Sequence, residues 1–206
     1  MLSLSITLQT YGFDLSYYQG AVSQSSFSCL KSNGYNFAIF QAQIGSTISS
    51  YAPSDYKNAK NAGIQYIDFY IFPTTAKDPR AQVRDTINYL QGQGVLSGNM
   101  VWLDIESHDL FYSSCSDNQW YIGEMLSEMS NILGKNRVGV YTNWTQWNDI
   151  TCGWTGASSY QLWYPHYDNW ASFGDFKNFG GWTSPNIKQF TGTTNICSTS
   201  IDKDFY

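Results

Sequence analysis

The chain has 206 residues, 42% of them apolar and 13% charged, a balance that suits one domain with a sizeable core and excludes an intrinsically disordered segment. Its formal net charge of -5 removes the long-range attraction that nucleic acid or an anionic membrane would need, so neither is expected as a partner and a small or neutral ligand fits better. Aromatics are abundant, with 8 Trp and 16 Tyr, and flat amphipathic rings suit sugar binding as well as core filling.

The first ten residues, MLSLSITLQT, lack the basic start and the longer apolar centre of a complete secretory signal. They read as the remnant of a signal or pro segment ahead of a single domain over 11–206. No run approaches the roughly 18 apolar residues of a membrane span. Eight β-rich runs then follow: Tyr11 to Leu15, Asn36 to Gln43, Gln65 to Phe72, Asn99 to Ile105, Arg137 to Thr142, Tyr160 to Tyr164, Asn186 to Phe190 and Ser200 to Phe205. Helical periodicity separates some of them. Over Asp78 to Gln91 it puts Val83, Ile87 and Leu90 on one face, and over Asp117 to Leu133 it does the same for Trp120, Met125, Met129 and Ile132. This alternation predicts parallel strands with crossover helices.

The connections from Asn143 to Ser159 and from His166 to Pro185 are rich in Gly, Trp, Asn and Ser and carry little helical pattern. A complete eight-unit barrel takes about 250 residues, so this length fits an α/β barrel with an incomplete outer ring. A doubly wound open sheet competes, but no GxGxxG follows an early strand. Cys29, Cys115, Cys152 and Cys197 lack the CxxC spacing of zinc or redox motifs and read as two disulfides of an exported chain. Three connectivities exist. Cys115 and Cys152 lie in loops leaving adjacent strands at one end of the barrel, which predicts their pairing and leaves Cys29 for Cys197. One glycosylation sequon, Asn143-Trp144-Thr145, directly follows a predicted strand.

In a barrel the C-terminal strand ends carry the site, and the acids collect there. Asp14 ends the first run, Asp104 and Glu106 end the fourth in VWLDIES, and Asp202 and Asp204 lie in the last, SIDKDFY. Residues i and i+2 of a strand share a face about 7 Å apart, so Asp104 and Glu106 both face the mouth. Close carboxylates drive their protonation apart, leaving one as an acid and one ionised, which is what cleaving a glycosidic bond requires. The bland alternative is that either acid caps a loop or pairs with an Arg, yet no Lys or Arg lies near the fourth run in sequence. His108 follows Glu106 closely, but with only His166 besides it and no Cys or acid at ligand spacing, no metal or other cofactor is expected, and His108 reads as a loop residue. No GxSxG supports serine catalysis.

From Tyr11 to Tyr206 the chain resembles glycoside hydrolase family 25, the Chalaropsis-type lysozymes. The resemblance rests on segments in order: GFDLSYYQG, YNFAIFQAQIG, DYKNAKNAGIQYIDFYIFP, the paired-acid motif VWLDIE, VGVYTNW, LWYPHY, IKQF and SIDKDFY. Chitinase-like barrels carry a longer D-x-x-D-x-D-x-E run, of which only the last two acids stand here. Two departures fall in the substrate subsites: QAQIG, where the family often has a Lys and Glu, and WYPHY, where an Ala-Gln is common.

The family implies an irregular TIM-like barrel of eight strands and about five helices, (β/α)5(β)3. It implies a monomeric enzyme, secreted or in lysosomes or phagosomes, that hydrolyses the β-1,4 bond between N-acetylmuramic acid and N-acetylglucosamine of bacterial peptidoglycan with retention. By resemblance Glu106 is the general acid, Asp104 orients the substrate's own acetamido nucleophile, and Asp14 and Asp202 are further acids of the site, with Asp204 beside them. Tyr70 and Tyr141 would donate hydroxyls, Trp163 and Tyr167 would stack sugar rings, and Gln41 would contact substrate. A catalytically inactive glycan-binding barrel and a hydrolase of chitin-like polymers are the competing readings; intact Asp104 and Glu106 favour turnover over binding alone.

Overall fold

The β-rich runs become the strands of a single sheet. The computed structural model describes residues 10–206, with β1 (Tyr11–Leu15), β2 (Tyr35–Ile44), a two-residue β3 (Thr47–Ile48), β4 (Tyr66–Phe72), β5 (Val101–Asp104), β6 (Val138–Tyr141), β7 (Gln161–Pro165), β8 (Ile187–Ile196) and β9 (Thr199–Phe205). The order β1-β9-β8-β7-β6-β5-β4-β2 closes through a β1–β2 pairing, and β3 hangs antiparallel on the end of β2. Eight strands therefore form a closed barrel, in which no barrel strand is left with an open edge. Helices α1 (Gln24–Ser32), α2 (Ala52–Asn61), α3 (Pro79–Gly92), α4 (Cys115–Leu133) and α5 (Trp144–Thr151) fill the first five crossovers, giving the (β/α)5(β)3 pattern. Of the segment 1–10 expected to be a signal or pro-segment remnant, residues 1–9 lie outside the described residues. Thr10 exchanges two backbone hydrogen bonds with Tyr206.

Local chemistry sets the helix starts. Ser23, Asp78, Ser114 and Asn143 each accept a hydrogen bond on the side chain from a backbone N–H three residues on, and Pro79 begins α3. The cap at Asn143 belongs to a helix that the composition of 143–159 concealed. Trp and Thr are mediocre helix formers, but Trp147, Ile150 and Thr151 fall on one face and are buried. Trp120 also departs from expectation, being 57% exposed. The buried stripe of α4 runs through Ile122, Met125, Leu126 and Met129, and Trp120 stands about 200° around the helix from Ile122.

The last strand corrects the expectation of parallel pairing throughout. β9 runs antiparallel to both β8 and β1, because only Cys197 and Ser198, both at positive φ, separate it from β8, and a two-residue turn joins antiparallel strands alone. β8 is also longer than the run ending at Phe190, because it continues to Ile196 as one arm of that hairpin.

Within the barrel Phe37, Ile39, Tyr70, Trp102, Tyr141, Trp163 and Ile187 pack together. Glycines on neighbouring strands make room for the largest of them: a Cβ at Gly139 would sit 2.3 Å from the Trp102 ring, and one at Gly12 would sit 2.4 Å from that of Phe37. Outside, one apolar cluster packs α1 and α2 against the sheet and another packs α3, α4 and α5.

Both expected disulfides form, with Cα separations of 5.6 Å for Cys29–Cys197 and 5.9 Å for Cys115–Cys152. The first ties α1 to the turn of the closing hairpin; the second ties the start of α4 to the end of α5. Their sequence separations are 168 and 37, and chain entropy then predicts that replacing Cys29 and Cys197 by Ser costs about 1 kcal/mol more than replacing the other pair. Denaturant unfolding of the two double variants checks this; a larger loss from the Cys115 and Cys152 replacement would contradict it.

Candidate active site

Strand direction brings the acids to one end. β1 and β5 deliver Asp14 and Asp104 at or next to their C-terminal residues, and the reversed β9 delivers Asp202 from its middle, paired across from Asp14. Beyond Asp104 the chain stays pinned to β6, because Ile105 donates its N–H to the Tyr141 carbonyl at 2.8 Å and its own carbonyl accepts the Thr142 hydroxyl. Glu106 thus projects over the mouth, and Ser107 turns the chain away at φ 63, a left-handed conformation that costs a non-glycine residue of order 1–2 kcal/mol.

The result is a cavity of ≈ 180 Å³ lined by Asp14, Tyr70, Asp104, Glu106, Tyr141, Trp163, Tyr167 and Asp202, together with Ser16, Gln19, Gln189 and Ser200. No Lys, Arg or His lines it. Burial, the charge of Asp202 and that of Glu106 push Asp14 above the ordinary carboxylate range, against the pull of hydrogen bonds from Gln189 and Asp204. Burial and then the Glu106 and Asp14 charges drive Asp104 well above its ordinary range. Glu106 is raised by burial and by Asp202, and Asp202 by burial, opposed by the Thr193 N–H. Asp104 has a second peculiarity: its Oδ1 is buried and accepts no hydrogen bond from the described residues. Tyr70 and Tyr141 are also pushed up, first by burial and then by the acids, so both stay hydroxyl donors.

Gln189 joins these groups and was overlooked in the sequence. Its Nε2 donates to Asp14 Oδ2 at 2.6 Å and to Asp202 Oδ2 at 3.3 Å, while its Oε1 accepts the Tyr141 and Tyr167 hydroxyls, each at 2.7 Å. A register irregularity in β8 just beyond it, with Thr193 at φ 45, turns the Thr193 N–H onto Asp202 Oδ1. The available signal was a polar residue on the inward register of IKQF, two places after Ile187.

One expected contact lies off the cavity and another is largely covered. Gln41 does not line the cavity: it is buried, and its Oε1 accepts the Tyr17 N–H at 2.7 Å, anchoring the 3-10 turn that follows β1. Trp163 reaches the cavity but is 2% exposed, enclosed by Tyr70, Trp102 and Tyr141, with its indole N–H given to Asp204 Oδ1. Little of its face is left for a sugar, whereas Tyr167 is 56% exposed. His108 lies in an exposed 3-10 turn outside the cavity.

The fold does assemble an acid and histidine cluster that sequence spacing concealed, His166, Asp168 and Asp175. A cation already occupies it: Lys188, 0% exposed, donates its ammonium to Asp168 Oδ2 and Asp175 Oδ1, both at 2.8 Å, and to the Ser172 carbonyl. Burial opposes ionisation of both carboxylates, yet the Lys188 hydrogen bonds hold them below their ordinary pKa. This network fastens the β7–β8 loop from which Tyr167 reaches Gln189.

Comparison with known proteins agrees with this geometry. Residues 7–190 match the lysozyme-like protein 1 family model. A probable GH family 25 lysozyme 2 of Dictyostelium discoideum is 38% identical over 198 residues, covering 95% of this chain and 90% of that protein. A family GH25 lysozyme from Aspergillus fumigatus superposes with a TM-score of 0.78 at 22% identity, over 96% of this chain and 93% of its own. The autolysin LytC from Streptococcus pneumoniae, solved with a synthetic peptidoglycan ligand, superposes with a TM-score of 0.77 at 14% identity, over 97% of this chain and 47% of its own. With nearly its whole length matched by these relatives, the chain belongs to glycoside hydrolase family 25, the lysozyme family, and is a glycoside hydrolase.

Proposed function

We propose that the enzyme is a muramidase that cleaves the β-1,4 bond between N-acetylmuramic acid and N-acetylglucosamine in bacterial peptidoglycan, with retention. The observation that carries this reading is the unpartnered Oδ1 of Asp104. A buried acceptor without a donor, on a residue that lines a cavity, calls for a donor from the ligand, and the acetamido N–H of a 2-acetamido sugar is such a donor. Glu106, two residues on and less deeply buried, then protonates the glycosidic oxygen as the leaving sugar departs. The acetamido carbonyl oxygen bonds to the anomeric carbon, and Asp104 steadies the positive charge that grows on the acetamido group. Water next attacks the anomeric carbon and gives its proton to Glu106, so two inversions yield retention. Asp14 and Asp202 supply negative potential to the oxocarbenium-like centre, Tyr70 donates its hydroxyl, Tyr141 holds Gln189 in place with its own, and Tyr167 offers the stacking face. Two disulfides and a site that works protonated suit a secreted or lysosomal setting.

Substrate sets the order of protonation. Within the protein's own field Asp104 is raised further than Glu106, so the deeper carboxyl keeps a proton more tightly. An N–H donated to its Oδ1 stabilises the carboxylate and leaves the proton to Glu106.

The direct experiment is digestion of peptidoglycan and of chitin oligomers with mass analysis of the fragments. New reducing ends at muramic acid are expected; reducing ends from chitin alone would overturn the substrate assignment. Glu106→Gln should lower turnover by roughly 10²–10⁴-fold while binding persists. A substrate with a far better leaving group should partly rescue Glu106→Gln and not Asp104→Asn, since such a group needs no proton while the internal nucleophile still needs Asp104. Wild-type turnover by Glu106→Gln would overturn the catalytic assignment and leave these acids a structural role.

Two pH dependences follow. Activity requires the Glu106 proton, so kcat should fall as pH rises through its raised pKa and peak on the acid side of neutrality; a profile flat to alkaline pH would contradict this. Stability should follow the same direction. Asp55, buried with its Oδ1 accepting the Val22 N–H, is raised to about 7. The folded state binds this proton more tightly than the unfolded chain, so its contribution is full below the unfolded value near 3.8 and is lost as pH rises through about 7. Tm should therefore be on the order of 5–10 °C higher at about pH 5 than at about pH 8 by thermal unfolding; a Tm that rises with pH would refute it.

A further inference from the structure

Asp204 is the carboxyl of this site to which the mechanism gives no task. It is 0% exposed, on the inward face of β9, opposite Gly12 of β1 and Gln189 of β8 and one layer deeper than Asp202. Its Oδ1 accepts the Trp163 indole N–H at 2.8 Å. Its Oδ2 is buried, and no N–H or hydroxyl of the described residues donates to it. What stands within hydrogen-bonding reach of the Asp204 carboxyl is that of Asp14, its diagonal neighbour on the same face of the β1–β9 ladder. Two carboxylates are both acceptors, so they meet at that range only when one of them carries a proton.

The surroundings decide which one. Asp14 lines the cavity and already accepts the Gln189 amide at 2.6 Å, so its charge has a donor and an outlet toward the ligand. Asp204 has only the indole, and burial followed by the Asp14 charge pushes it far above the carboxylate range. We propose that Asp204 stays protonated through the catalytic cycle and acts as a positioning residue, its O–H donated to Asp14 so that this bond and the Gln189 amide together fix the Asp14 carboxylate beneath the saccharide. The proton never leaves Asp204. Charged or titratable groups facing the pair are Asp202 from the same strand, Asp104 and Glu106 from β5 and its extension, Tyr70 from β4, Tyr141 from β6 and Tyr167 from the β7–β8 loop. With no Lys, Arg or His lining the cavity, an ionised Asp204 would be felt by all of them.

Two substitutions separate a proton donor from a charge. Asparagine keeps an oxygen for the Trp163 indole and supplies an N–H to Asp14, whereas leucine has similar bulk and does neither. Asp204→Leu should lower kcat at least about tenfold, and Asp204→Asn should restore it to within about threefold of the parent, with the alkaline limb of the pH–rate profile in place. A loss of activity in Asp204→Asn as deep as in Asp204→Leu, or a shift of that limb to lower pH on removing the charge, would overturn the proposal. The activity measurements rest on the muramidase reading, so a second measurement stands apart from it. The infrared difference spectrum between the parent and Asp204→Asn at neutral pH should contain the carbonyl stretch of a protonated carboxyl, shifted in heavy water. Its absence would overturn the proposal whether or not peptidoglycan is the substrate and whether or not Asp204→Leu folds.

Discussion

Asp14, Asp104, Glu106 and Asp202 converge on one small cavity, and no Lys, Arg or His stands among the residues that line it. An ionised carboxylate taken from water needs either a counter-charge or donors, and without them it takes up a proton instead. The barrel supplies donors. Gln189 divides its amide between Asp14 and Asp202, Thr193 turns its backbone N–H onto Asp202, and Trp163 gives its indole N–H to Asp204. Protons supply the rest, which is why every one of these carboxyls is shifted upward. A cation placed here would satisfy the acids and stabilise their ionised forms, and in doing so would strip Glu106 of the proton it must transfer. The exclusion of cations is thus part of the chemistry.

The same strand shows the opposite solution one residue away. Lys188 and Gln189 are neighbours on β8 and, by the alternation of a strand, point to opposite sides of the sheet. Outside, Lys188 is buried between Asp168 and Asp175, a conventional ion pair with enough hydrogen bonds to justify its burial. Inside, at the adjacent position, only a neutral amide is present. A slip of one residue in the pairing of β8 would carry the ammonium in among the acids, so the register of this strand is a chemical constraint as much as a packing one. The two sides are also connected, because the loop fastened by Lys188 carries Tyr167, whose hydroxyl returns to Gln189.

The sequence made the scaffold legible through periodicity, since eight β-rich runs and two strongly periodic helices suffice to indicate a barrel, and acids at strand ends then indicate its working face. It concealed α5, whose Trp and Thr residues have poor intrinsic propensity and whose helix depends on the Asn143 cap and on burying Trp147. Asp14, Asp104, Glu106 and Asp202 were legible because burying an acid requires a reason. Gln189 was not, because a lone glutamine in a short strand looks like any edge residue until its inward register is known. Gln41 is the complementary case: it is inward and polar, and its partner is the Tyr17 backbone, a contact that only the tertiary course of the turn after β1 creates.

The reversal of β9 shows why sequence position alone cannot rank the acids. On a parallel strand Asp204, the later residue, would stand nearer the mouth and Asp202 beneath it. The hairpin inverts this order, because β9 enters the barrel from the mouth: Asp202 meets Asp14 directly across the β1–β9 ladder, and Asp204 lies two residues deeper against Gly12. At that depth the residue is sealed from water, and an acid there is forced toward the neutral form. Asp202, with a backbone N–H and part of its surface open, is raised less. Two identical side chains in SIDKDFY therefore become different chemical species for a topological reason, the antiparallel return that a two-residue turn imposes and that the Cys29–Cys197 bridge fastens to the first helix.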